Sequence, residues 1–227
     1  MLIRSKYRLR FRARASNREP PASDCKRHKK MNIQKRISEI LAAEATAISA
    51  VRVTPEFERA VCALRDSAGK VLTTGMGKAG HIARKFASTL CSTGTPASYV
   101  HPGEAAHGDL GLVAPEDCVV AFSTSGKTRE VLEMLELGRH IGLKTIIGVT
   151  SHPDSGLRDL SDIVLDMGIV PEPYPHGLTP SASTAVMLAI SDAIALVLME
   201  LKGFSRHDYG LRHHGGYLGR RARSDNE

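Results

Sequence analysis

From residue 69 to residue 201 the chain alternates short apolar runs with helical stretches, and this limits its fold more than any other feature. The runs fall at 71–74, 98–101, 118–123, 145–150 and 163–166. Apolar spacing predicts helices over 81–93, 128–141 and 182–201, with a short one near 154–160. Strands separated by helices of this length are successive βα units, which close into a parallel sheet with helices on both faces. Stretches such as Val119-Val120-Ala121-Phe122 and Ile146-Ile147-Gly148-Val149 are continuously apolar, as strands covered on both sides must be. Aromatic residues are only 4% of the chain and Trp is absent, so Ala, Val, Leu and Ile must build the core.

Upstream, Ile33, Ile37, Ile40, Leu41, Ala45 and Ile48 recur at three- and four-residue spacing and predict an amphipathic helix to about Val51. Pro55 opens a second helix over 56–67, at the position where proline is tolerated. Residues 31–227 are expected to form one domain. The net charge of +7 suggests nucleic acid until it is located. Residues 1–30 hold 11 Lys/Arg against 2 Asp/Glu, and the remainder 20 against 22, so the basicity belongs to a tail. That tail lacks the apolar stretch of a secretory signal. It is expected to be a disordered or non-natural extension, with Met31 as a plausible start; an Arg-rich targeting segment and a nucleic-acid or membrane-surface arm are the alternatives. Nucleic-acid binding is not expected of the folded part, and no helix-turn-helix pattern occurs. The most apolar helical stretch, 185–199, is shorter than a membrane span and contains Ser191 and Asp192. Cys25, Cys62, Cys91 and Cys118 form no close pair, which predicts neither a zinc knuckle nor a disulfide framework. The cytoplasm is the compartment expected.

After the first strand, Gly75-Met76-Gly77-Lys78-Ala79-Gly80 satisfies G-x-G-x-x-G. A dinucleotide site also needs an acid about 20 residues on, at the end of the second strand, which instead ends in His101-Pro102. What remains is a backbone that a ligand can approach at a helix N-terminus, with Lys78 placed to reach an anion. The third strand runs into Ser123-Thr124-Ser125-Gly126-Lys127-Thr128, the end of a P-loop without its first glycine, since position 121 is Ala. Its four hydroxyls and the N–H groups of a helix start make a cradle for one phosphate. Ser181 and Ser183, before the Ala-rich helix, offer a second cluster of the same kind. Two such loops at the carboxyl ends of strands predict one small phosphorylated ligand. His101, Glu104 and His107 are three residues apart, too wide an arc on a helix to hold one ion, so acid–base or hydrogen-bonding work is expected there and no metal. His213-His214-Gly215-Gly216-Tyr217-Leu218-Gly219 is read as outside regular structure.

Taken together, 74–82, the Ser92-Thr93-Gly94-Thr95-Pro96 run, HPGEAAHGDLG over 101–111, and Gly177-Leu178-Thr179-Pro180 with Ser183-Thr184 resemble the SIS (sugar isomerase) domain. Within that family they are similar to the arabinose-5-phosphate isomerase group, over roughly residues 35–220. The resemblance implies a flavodoxin-like, doubly wound α/β domain with a five-stranded parallel sheet. It implies a homotetramer with active sites between subunits, and interconversion of ribulose 5-phosphate and arabinose 5-phosphate without an obligatory cofactor. Carried over by position, the catalytic residues fall on Lys78, His107, Glu130 and His213. Phosphate-binding groups fall on Ser123, Thr124, Ser125 and Thr128, with Ser181 and Ser183 beside them. Gly75, Gly77, Glu104 and Lys127 line the pocket.

Aldose–ketose interconversion through an enediol needs a base beside the carbonyl and a group that moves a proton between oxygens. Glu130 or His213 would be the base, His107 the shuttle, and Lys78 the partner of the developing oxyanion. Two residues depart from the family pattern: Lys127 stands where Glu is usual and His214 where Pro is usual. Relatives often continue into paired CBS domains, and nucleotide regulation of that kind is not expected here. The alternatives are isomerisation of another pentose or hexose phosphate, or a sugar-phosphate-binding module that senses without converting.

Overall fold

The computed structural model describes residues 31–224. The reading of residues 1–30 as an extension lies outside the described residues. The chain divides into two units, residues 1–38 and 39–227. In the first, the Asn32 carboxamide accepts the Lys35 N–H at 3.0 Å and caps the opening of α1 (Ile33–Ser49). The rest of the architecture belongs to the second unit.

There, α2 (Pro55–Asp66) starts on its proline and leads to β1 (Val71–Gly75), α3 (Gly77–Ser92), β2 (Ala97–Val100), the single turn α4 (Pro102–Ala105) and β3 (Cys118–Phe122). Then come α5 (Arg129–His140), β4 (Thr145–Thr150), α6 (Gly156–Leu160), β5 (Ile163–Asp166), α7 (Ala182–Leu201), α8 (Arg206–Arg212) and α9 (Gly216–Arg223). All four strand pairings are parallel and the order is β2-β1-β3-β4-β5, a doubly wound α/β sheet.

Alternate residues of one strand serve two cores, because successive side chains point to opposite faces. Cys118, Val120 and Phe122 join Phe86, Leu90, Met187 and Leu198 on the side of α2, α3 and α7. Val119 and Ala121 join Val131, Leu135, Ile146 and Leu157 on the side of α5 and α6. The polar groups that β1 buries are satisfied: Thr73 Oγ1 donates to Ala83 O at 2.7 Å and Thr74 Oγ1 to Val100 O at 2.9 Å. These bonds tie β1 to the helix that follows it and to β2.

Among the described residues α7 alone is long and apolar enough to cross a membrane by length and composition. Val186, Met187, Ile190, Ile194 and Leu198 of this helix are buried in the first core, and Lys85 of α3 pairs with its Asp192. A groove of about 590 Å³ runs beside it, lined by Ile48, Val51, Phe57, Val61, Ile194 and Val197 among others. It lies on the α2/α7 side, and no set of hydroxyls or cations converges on it.

The expected strands and helices are present, with three differences. Helix α3 begins at Gly77, a turn earlier than the apolar spacing indicates, because its first turn carries Gly77 and Gly80 in place of apolar residues. Pro102 starts the short turn α4, where its missing N–H costs nothing. Beyond α7, Ser205 and Asp208 form a capping box that starts α8, and α9 takes up Gly216 to Gly219, so only part of the 213–219 stretch is irregular.

At the opposite edge of the sheet from the strand carboxyl ends, the buried Asp117 carboxylate accepts from Lys70 N at 2.9 Å, Ala114 N at 2.8 Å and Lys70 Nζ at 2.7 Å. One side chain thus fixes the entries to β1 and β3. Asp117→Asn is expected to cost about 2–4 kcal/mol, since it breaks a buried charged pair and unmakes backbone bonds. Lys70→Ala, which leaves both backbone donors in place, is expected to cost about 1 kcal/mol. Urea unfolding of both variants checks the order.

Candidate functional site

Gly75 at the end of β1 lies in register with Phe122 at the end of β3. The helix after β1 packs on one face of the sheet and the helix after β3 on the other. Winding therefore reverses between these neighbours, and a crevice opens at their carboxyl ends between the N-termini of α3 and α5.

The α3 wall depends on glycine. A Cβ at Gly80 would stand 2.5 Å from Gly75 O, so only glycine lets the helix sit this close to the strand end. Gly77 takes φ +59° to make the turn into the helix. Tyr99 of β2 donates its hydroxyl to Gly75 O at 2.9 Å, and the Arg84 guanidinium lies 3.9 Å over the Tyr99 ring. This leaves Lys78 exposed on the first turn, without an ion-pair partner among the described residues. The N–H groups of Gly77, Lys78 and Ala79 have no acceptor among the described residues.

On the other wall, Ser123 Oγ and Thr128 Oγ1 lie 2.9 Å apart, and Ser123 Oγ accepts the Gly126 N–H at 3.1 Å. Ser125 Oγ accepts the Lys127 N–H at 3.2 Å. The loop is pinned from behind: Thr124 O accepts the Ser151 N–H at 3.0 Å and lies 3.0 Å from His152 Nδ1, while Gly126 O accepts the Leu157 N–H at 3.0 Å. Gly126 has φ +61°, and a Cβ there would run into Ser155. Thr128 is the N-cap residue of α5 but turns its hydroxyl to Ser123 in place of capping. The N–H groups of Thr128, Arg129 and Glu130 consequently lack acceptors among the described residues. Lys127 and Glu130 are exposed beside them.

The third helix start differs. Glu172, in the loop after β5, accepts from Ser181 N and Ala182 N at 2.8 Å each and from Ser183 N at 3.2 Å. The donors expected to serve a phosphate through Ser181 and Ser183 are thus taken by a carboxylate of the same chain. Burial opposes ionisation of Glu172, yet the donors at Ser183, Ser181 and Ala182 outweigh it and hold its carboxyl below 4.5, the ordinary glutamate value. Sequence reading missed Glu172; its only signal was an acid a few residues ahead of a helix start rich in Ser and Thr.

Glu104 and His107 are exposed on α4 and the turn after it, and α4 packs against α5. His101, the first residue past β2, has a buried Nδ1 without a hydrogen-bond partner among the described residues. His213 is not brought to this group by its own bonds: it stacks on Tyr209 with ring centroids 3.8 Å apart, its Nδ1 lies 3.0 Å from Tyr209 O, and its carbonyl accepts from Arg223. No three His, Cys, Asp or Glu side chains gather as a metal site among the described residues.

The sequence pattern of the SIS domain matches residues 64–197. The chain is 42% identical over 170 residues to arabinose 5-phosphate isomerase KdsD of Pseudomonas aeruginosa, covering 75% of this chain and 52% of that protein. It is 44% identical over 153 residues to the KdsD of Escherichia coli K12, covering 67% and 46%. The chain thus spans about half the length of the curated relatives it matches. A solved structure of an E. coli CFT073 protein in complex with arabinose 5-phosphate superposes with a TM-score of 0.76 at 40% identity, covering 81% of this chain and all of that one.

Because the folded carboxyl of Glu172 ionises below its unfolded value, the stability it adds is complete above pH 4.5 and is lost as pH falls through the folded value. Glu172→Gln is expected to be about 1–2 kcal/mol less stable than the parent at pH 7, from weaker acceptance and loss of charge at the helix start. The two should converge as pH falls through the folded value. Denaturant titrations of both proteins from pH 3 to 7 check this.

Proposed function

The chain belongs to the SIS domain family, and from that premise we propose that it interconverts D-ribulose 5-phosphate and D-arabinose 5-phosphate through an enediol. The observation that carries the reading is the open start of α5. Three N–H groups without acceptors among the described residues and the Ser123–Thr128 hydroxyl pair lie at the point where the sheet reverses its winding, opposite Lys78. This set suits a phosphate dianion, which helix N-termini bind through their donors and dipole. The named relatives support the choice of pentose phosphate.

With the phosphate held by Ser123, Ser125 and Thr128, the sugar carbons would extend over Glu130, the last of the three residues whose N–H groups are open. In the forward direction a base takes a proton from C1 of the ketose. The C2 carbonyl becomes the enediol oxygen, its charge met by Lys78. A proton passes from O1 to O2, for which His107 is the shuttle, and C2 is reprotonated to give the aldose. Every atom is conserved and no redox partner is needed. Glu130 is the base in this reading. His213 would act in the crevice of a second copy, in a homotetramer with sites between subunits, because its own bonds hold it within the α8–α9 pair. The cytoplasm is the compartment this reading assigns.

Proton NMR of the purified chain with ribulose 5-phosphate in heavy water tests the reading. Arabinose 5-phosphate carrying deuterium at C2 is the expected product. Glu130→Gln is expected to lower kcat by about 10²–10⁴ with little change in KM, and Lys78→Met by about 10² or more. Ser123→Ala should raise KM chiefly. Turnover of a different ketose phosphate alone would move the substrate and point to Lys127 and His214; tight binding with no turnover of any would make the chain a sensor.

A further inference from the structure

The geometry points to His152 as a positioning residue: its ring holds the Thr124–Ser125 peptide so that the Ser125 N–H is presented to the phosphate of the ligand. That the ligand is a sugar phosphate seated on the β3–α5 loop rests on the isomerase reading above. Thr124 O takes its donors from the end of β4 and the residues after it. These are the Ser151 N–H at 3.0 Å, the Thr150 hydroxyl at 3.3 Å and His152 Nδ1 at 3.0 Å. A carbonyl oxygen can only accept, so the last contact requires a proton on Nδ1. In a trans peptide the C=O and the N–H that follows it point in opposite directions. Strand β3 has β4 on one side and β1 on the other, so a carbonyl turned to the end of β4 turns the Ser125 N–H toward the end of β1 and the turn that carries Lys78.

The neighbouring donors of the loop are engaged within it. The Gly126 N–H goes to Ser123 O at 3.0 Å and to Ser123 Oγ at 3.1 Å, and the Lys127 N–H goes to Ser125 Oγ at 3.2 Å. The Ser125 N–H has no acceptor among the described residues. His152 is exposed, so packing does not account for its place. Its backbone is held on both sides: Pro153 disfavours the helical region for the residue before it, and Arg158, ion-paired with Asp166 at 2.9 Å, donates its Nε to the His152 carbonyl. Without the imidazole, Thr124 O would keep one short bond and the long one from Thr150. The peptide could then turn over, taking the Ser125 N–H away and bringing a carbonyl oxygen, which repels phosphate, into the crevice. With the imidazole in place, the donors on Thr124 O also polarise the peptide and make its N–H a stronger donor.

The test is two-bond proton–nitrogen NMR of the full ¹⁵N-labelled chain at about pH 8, where an ordinary imidazole is neutral, with the Ser125 amide followed as inorganic phosphate is added. The expected result is a proton on Nδ1 of His152 and a Ser125 amide signal that moves with phosphate. His152→Ala should raise the KM for ribulose 5-phosphate and the inhibition constant of inorganic phosphate by a common factor of about 5- to 20-fold, with kcat within about twofold. His152→Asn, whose amide nitrogen falls near the Nδ1 position, should recover both constants to within about threefold of the parent. A proton on Nε2 alone overturns the inference, as does asparagine no better than alanine. So does a loss in kcat at constant KM, or a Ser125 amide that phosphate leaves unmoved. If phosphate moves Ser125 in a His152-dependent way yet neither pentose phosphate is converted, the isomerase reading falls and this one stands. Turnover of ribulose 5-phosphate with constants indifferent to His152→Ala leaves that reading standing and overturns this one; a chain that binds neither inorganic phosphate nor arabinose 5-phosphate overturns both.

Discussion

Reversal of winding between β1 and β3 is the constraint on which the site depends. A sheet covered on both faces leaves no room for a ligand except at its edges and ends. The reversal parts the helices after two neighbouring strands, so that both aim their N-termini at one gap. The close seat of α3 on β1 then sets how wide that gap is. Gly80 lies against Gly75 O, Tyr99 holds the same carbonyl from the next strand, and Thr73 bonds the helix backbone a turn further on. Lys78 takes its position from these contacts.

Three helices begin at or near the carboxyl edge, and the chain treats their ends differently. Among the described residues the starts of α3 and α5 are left with unmet N–H groups, whereas that of α7 is closed by Glu172. An unmet helix start costs stability, and the means to cap α5 is present in Thr128, whose hydroxyl is instead turned to Ser123. The donors of α5 are thus reserved while the loop beneath them is fixed at Thr124 and Gly126 by Ser151, His152 and Leu157. Closure of α7 by an internal carboxylate leaves its backbone donors unavailable to any ligand.

Much of this was legible in the sequence where one local rule decides. Continuous apolar runs bounded by turns placed β4 at 145–150 and β5 at 163–166 to the residue, and the Ala-rich stretch placed α7 at 182–201. The hydroxyl-rich loop after β3 was legible because its donors are consecutive. Legibility failed where a residue's role depends on a partner distant in the chain. Ser181 and Ser183 look like Ser123 and Ser125 in sequence, and only the return of Glu172 from a Pro-rich loop separates them. His101 and His107 belong to one motif, yet folding sets the ring of the first against Gly103 and leaves the second exposed. His213 was read beside a glycine turn, and its bonds run to Tyr209 and Arg223.

The glycine motif after β1 shows why spacing alone misleads about ligands. In a dinucleotide site the same spacing serves a tight turn, the approach of a pyrophosphate and the packing of helix on strand. Here Gly77 supplies the turn and Gly80 the packing, while the acid that would hold a ribose is replaced at the end of β2 by His101. Two of the three glycine roles are solutions to joining a strand to a helix at short range, and any chain that makes this joint has reason to use them. Ligand identity resides elsewhere, in which donors are left unmet and which cations stand beside them. In this crevice those are the first N–H groups of α3 and α5, with Lys78 on one wall and Lys127 on the other. An anionic group flanked by hydroxyls satisfies them, and a flat aromatic base has nothing comparable to bind.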